Sequence, residues 1–127
     1  MDGFLVKITP DRCAHLVSCS EVPITFTHHA RLLGEDFGWI DHHRGDGLSV
    51  LADTAAAEPR NEWASAYTGR TVHGDAIVTA EEMGEDVPLD LTQATAVLSE
   101  VFLIGGIATA LHSAAAIAAH HRPQEHS

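Results

Sequence analysis

The chain has 127 residues, 45% of them apolar, and eighteen Asp and Glu against seven Lys and Arg give a formal net charge of −11. This length suits one domain with a real core and leaves little room for two. The charge disfavours direct contact with DNA or RNA phosphates and favours a protein partner with a basic surface.

Residues 1–10 contain neither a basic n-region nor an apolar h-region, so no secretory signal is expected and the cytoplasm is the default compartment. Phe4, Val6 and Ile8 alternate with Leu5, Lys7 and Thr9, which predicts a first strand closed by the turn at Pro10-Asp11. Residues 14–19 fit either a short strand or a helical turn. Cys13 and Cys19 flank that stretch and form no redox CxxC pair, so reduced thiols are expected. Val22, Ile24, Phe26 and His28 then alternate with Pro23, Thr25, Thr27 and His29, predicting another strand, with a turn of helix near residues 30–35.

Residues 37–53 predict a hairpin. Its apolar runs, Trp39-Ile40 and residues 48–51, are joined through Arg44-Gly45-Asp46-Gly47, whose glycines supply the positive φ of a tight connection. Asn61 is an N-cap for a short helix with Trp63, Ala66 and Tyr67 on one side, and Gly69 ends it. Residues 71–79 read as extended, and residues 80–90 as an acidic linker.

The strongest element is the last. From Leu91 to His121 the sequence reads as one helix, with Asp90 and Gln93 placed as a capping box. Basic and imidazole side chains at His120, His121 and Arg122 meet its carbonyl end, and Pro123 stops it. Short strands with one short helix and one long terminal helix predict an α+β fold: a small, mostly antiparallel sheet with the C-terminal helix packed on it. The whole chain, 1–127, is one domain, divided into a sheet-rich part (1–79), the linker (80–90), the helix (91–121) and a tail (122–127).

The stretch of residues 37–91 resembles a domain-of-unknown-function family of short proteins from actinobacteria, other Gram-positive genomes, phages and plasmids. The likeness lies in Gly38-Trp39-Ile40 and Gly45-Asp46-Gly47-Leu48, then Asn61 and Ala64, then Gly74-Asp75-Ala76-Ile77-Val78. A Val-Gly-Gly-containing helix usual in that family has no counterpart in the first thirty residues. The resemblance implies a small α+β domain, often tied to mobile elements, and no assigned activity.

Ten histidines are unusual in a chain of this size. His28, His42, His43 and His73 would converge on zinc or another transition metal if their strands were neighbours, although no recognised ligand spacing is present. Asp41-His42-His43 is similar to the Asp-His-His motif of the DHH phosphoesterases, but the upstream carboxylate motif that would complete a two-metal site is missing. No nucleophile elbow, phosphate loop or catalytic cysteine signature occurs, so no catalytic residue is assigned and an enzyme is not expected.

Thirteen of the eighteen carboxylates fall between residues 35 and 90. Glu81, Glu82, Glu85, Asp86 and Asp90 form a run without a basic residue, the candidate surface for a basic partner. On the long helix, the small-residue face at Gly105, Gly106, Thr109 and Ser113 is the candidate contact for a second helix, including that of a homodimer partner. Because residues 101–119 carry no charge, and Gly106, Ala110 and Ala114 recur at four-residue spacing, a membrane-tethered domain is a further alternative. Glu100 and His112 weigh against insertion. The leading expectation is a small acidic accessory protein without a cofactor that binds a basic protein.

Overall fold

A computed structural model describes residues 3–42, 47–53 and 59–121. The elements run β1 (Gly3–Thr9), β2 (Cys13–Cys19), α1 (Phe26–Leu33), β3 (Phe37–Trp39), β4 (Leu48–Asp53), α2 (Glu62–Thr68), β5 (Ala76–Glu82), β6 (Glu85–Val87) and α3 (Leu91–His121). The strands form one antiparallel sheet in the order β2-β1-β5-β4-β3, with β6 also paired to β5. The fold is therefore α+β, as the sequence predicts, with helices on both faces of the sheet.

Alternation along the strands divides the core in two. Val6, Ile8, Val50, Ala52, Ala76 and Val78 meet α2 and the first turns of α3. Leu5, Leu51 and Ile77 point the other way, toward Ile24 and Leu33 beneath α1. Both faces of the central strands are thus buried, which is why β5 reads as a continuous apolar run.

Two local expectations differ from the structure, and one left open is decided. The alternation of residues 22–28 does not make a strand. Thr25 caps α1 there, its side chain accepting from the His28 amide at 3.2 Å, and Gly34 closes the helix by donating to the Ala30 carbonyl. The cap outweighs the β-branched pattern because it satisfies an otherwise orphaned donor. The acidic linker of residues 80–90 is instead the end of β5, a tight turn and β6. Met83 (φ 53°) and Gly84 (φ 82°) both have positive φ, the requirement of a two-residue hairpin turn of this hand. Residues 14–19, left between strand and helical turn, are strand β2. The hairpin's Arg44-Gly45-Asp46 and the tail at 122–127 lie outside the described residues.

The helix ends follow the sequence signals. Asp90 and Gln93 exchange reciprocal bonds at 3.0 and 2.7 Å, the expected capping box. Asn61 does more than cap α2. Its Oδ1 accepts from Ala64 N at 3.0 Å, and its Nδ2 donates to the Ile8 carbonyl at 2.9 Å and the Gly74 carbonyl at 2.8 Å. The residue is wholly buried.

α2 then lies against α3. Gly105 sits under the Trp63 indole so closely that an added Cβ would fall 2.4 Å from ring carbon Cδ2, whereas a Cβ on Gly106 would meet nothing within 4 Å. Trp63 Nε1 donates to Thr109 Oγ1 at 3.1 Å, and its ring meets Phe102 edge-on at 5.1 Å between centroids.

Asn61→Asp keeps the capping oxygen but removes the two amide donors and buries a charge, so a loss of about 2–5 kcal/mol is expected in urea unfolding. A change within about 0.5 kcal/mol, ordinary for a surface site, would refute the bridging role. Gly105→Ala and Gly106→Ala share the same gain in helix propensity, yet the first should unfold at lower urea by about 1–3 kcal/mol because the indole must move. Equal midpoints would contradict that contact.

Candidate functional site

A polar cluster joining three distant elements lies on the α1 face. α1 delivers His29, β3 delivers Trp39, and β6 delivers Asp86. His29 Nε2 lies 3.1 Å from Asp86 Oδ2, and Trp39 Nε1 donates to the same oxygen at 2.9 Å. His29 is 2% exposed and the Asp86 side chain 8%. A carboxylate can only accept, so the proton of this imidazole contact is on Nε2. The other nitrogen, Nδ1, is buried and has no hydrogen-bond partner among the described residues.

Burial alone would raise the Asp86 carboxyl, but hydrogen bonds from His29, Trp39 and Ser49 outweigh it and hold the group below the usual aspartate range. The Ser49 hydroxyl has one proton for two acceptors, since it also reaches Glu81 Oε2 at 3.4 Å; His29 and Trp39, at shorter distances, are the dependable donors.

A cleft of about 320 Å³ opens beside this cluster, lined by Pro23, Ile24, Phe26, His29, Trp39 and Asp86, with Gly84 and Glu85 at the turn. Phe26 and Trp39 are 64% and 60% exposed. Phe37 bridges them from below, 4.9 Å from the Phe26 ring and 5.6 Å from the Trp39 ring.

The residues singled out from the sequence separate. Glu81, Glu82 and Glu85 gather at the exposed β5–β6 turn, where Glu82 stands directly opposite Glu85. Asp86 turns inward to His29, and Asp90 is occupied in capping α3. Of the helix-contact face, Gly105 and Thr109 are taken by Trp63 of the same chain, while Gly106 and Ser113 face outward. α2 thus occupies the Gly105 and Thr109 part of that face.

His28 is on α1, His42 follows β3 with its Nε2 donating to the Leu48 carbonyl at 3.1 Å, and His73 pairs with Arg60. His43 lies outside the described residues. Among the described residues, no three His, Cys, Asp or Glu side chains gather in a metal-holding group.

Sequence reasoning missed the joining of His29 to Asp86 across 57 residues. The available signals were a histidine pair and a carboxylate inside an acidic run, and neither reveals its partner.

α3 is the second unusual surface. Only its first half is covered: Ala94, Val97 and Val101 are buried, Gly105 lies under Trp63, and every residue from 110 to 119 is exposed. Its outward side carries Leu103 (64% exposed), Ile107 and Leu111 (65%), with Gly106, Ala110, Ala114 and Ile117 continuing the stripe. A surface helix normally turns a polar side to water; here both sides are apolar.

Comparison with protein-family models, with characterised proteins and with solved structures finds no match.

Replacing Asp86 by Asn keeps the side-chain shape and removes the charge that the three donors stabilise. Because the folded pKa is depressed, that stability is present above the unfolded aspartate value, about 3.9, and is lost as pH falls through the folded value. The stability gap between the native chain and Asp86→Asn should thus be widest near neutrality and shrink from about pH 4 downward. A gap unchanged between pH 7 and pH 3 would contradict the assigned role.

Proposed function

We propose that this chain is an accessory interaction module whose copies pair through the outward face of α3, leaving the acidic β5–β6 turn free for a basic protein. The observation that carries the reading is the apolar stripe from Leu103 to Ile117 on the side of α3 that its own domain does not cover. Gly106, Ala110 and Ala114 repeat along it and allow two helix backbones to approach closely.

Magnitudes support pairing that depends on concentration. Covering the exposed parts of Phe102, Leu103, Ile107, Leu111 and Ile117 on two copies contributes roughly 10 kcal/mol gross. That is comparable with the cost of association, about 4–15 kcal/mol. The acidic turn supports the second half of the reading: Glu82 opposite Glu85 is a like-charge cross-strand pair, unfavourable until a cation neutralises it.

The same helix favours a second reading, a membrane tether. Residues 91–119 are long and apolar enough to cross a bilayer, and only 11% of the most apolar eighteen-residue window is buried. With α2 docked, however, Arg60, Glu62 and Arg70 stand beside Ala108 and His112. What remains beyond His112, residues 113–121, extends about 14 Å at helical rise, half of a hydrocarbon core of about 30 Å. Insertion therefore requires α2 to leave α3, so pairing in water is the better fit to this geometry.

Light scattering on the full chain, purified without detergent, should give twice the chain mass at high concentration and dissociation on dilution. Leu103→Asp with Leu111→Asp should be monomeric throughout with an unchanged circular dichroism spectrum. A native chain that stays monomeric at high concentration would overturn the pairing, and recovery only in detergent would favour the tether. Capture of a basic protein should weaken with salt, and binding insensitive to salt would overturn the acidic contact.

A further inference from the structure

We propose that the cleft between α1 and the β5–β6 turn binds a small organic cation, a substituted ammonium carrying apolar groups. Three independent features of the site converge on that chemistry.

The walls are aromatic. Phe26 and Trp39 both line the cleft and leave more than half of their surface to water. The face of an indole or phenyl ring attracts a cation through its quadrupole.

Among the described residues, the charge in the cleft is negative and no Lys or Arg lines it. Glu85 is exposed at the rim, Asp86 forms part of the lining, and no basic side chain other than the His29 imidazole contributes to the wall. Trp39 donates its indole N–H to Asp86, which fixes the ring beside the carboxylate. The ring and the carboxylate therefore line the cleft side by side.

The third feature is His29. It is almost fully buried, it lines the cleft, and its Nδ1 has no hydrogen-bond partner among the described residues. Held between Asp86 and the edge-on Trp39 ring, at 6.3 Å between centroids, it makes the floor rigid and polar. An anion would face carboxylates here, and a neutral apolar molecule would leave them without a counter-charge. A bare, strongly hydrated metal ion gains little from aromatic walls. A weakly hydrated ammonium with alkyl groups satisfies both the rings and the carboxylates.

The test is titration of the full chain with choline, followed through the indole N–H resonances of a nitrogen-labelled sample. The Trp39 signal should shift and saturate while the Trp63 signal, on the opposite face of the sheet, stays in place. The neutral isostere 3,3-dimethylbutan-1-ol should produce no saturable shift. Phe26→Ala and Glu85→Gln alter exposed side chains, and each should weaken choline binding by about two- to fivefold. Equal binding of the neutral isostere, a shift that does not saturate, or full affinity in both variants would overturn the proposal.

Discussion

The bonds made by the Asn61 amide tie together parts of the chain that lie far apart in sequence. Its oxygen starts α2, and its nitrogen reaches β1 at Ile8 and the turn at Gly74. Its backbone N–H donates to Val72 as well. A helix as short as α2 has no independent stability in water, so its placement must come from such outside contacts. Once it is placed, Trp63 is placed, and Trp63 selects the path of α3 because only a glycine at 105 admits the ring. The course of α3 at Gly105 thus depends in part on a buried amide more than forty residues earlier in the chain.

The two faces of the sheet use their helices differently. Beneath α2 and α3 the contacts are nearly all apolar, and polar groups enter mainly as bridges such as Asn61 and Thr109. Beneath α1 the apolar core is smaller and gives way to the His29, Trp39 and Asp86 cluster. Close packing stabilises the first face. The second holds a charged group among aromatic rings, an arrangement that costs desolvation and is kept up by directed donors.

Much of the architecture was legible where a local chemical rule coincided with the hydrophobic pattern. Asn61 and Gly69 mark the ends of α2, and Asp90 and Gln93 mark the start of α3, because capping acts within a few residues. α1 was hidden because its apolar residues also fit a strand period, and the Thr25 cap decides the matter only when its geometry is known. The β5–β6 hairpin was hidden by its own carboxylates, which make a solvated turn look like a linker. Asp86 illustrates the limit for the site. Nothing in the run from Glu81 to Asp90 distinguishes the one carboxylate that turns inward, since its partners His29 and Trp39 are brought by folding alone. Gly105 and Gly106 look alike in the sequence, and only the position of Trp63 separates them.

The position of β1 has a consequence for how the chain assembles. β1 and β2 are joined by a short turn and can pair as soon as both have left the ribosome. The other edge of β1 belongs to β5, with Val6 beside Val78, and Phe4 bridges Leu89 beyond β6. One of its faces then waits for Val97 and Val101 of α3. Until β5 has been made, the growing chain therefore carries an apolar hairpin with an open inner edge, the kind of surface that pairs wrongly with a neighbour. A nascent chain halted between β5 and Val101 would have that edge closed and still leave the apolar face without its full cover.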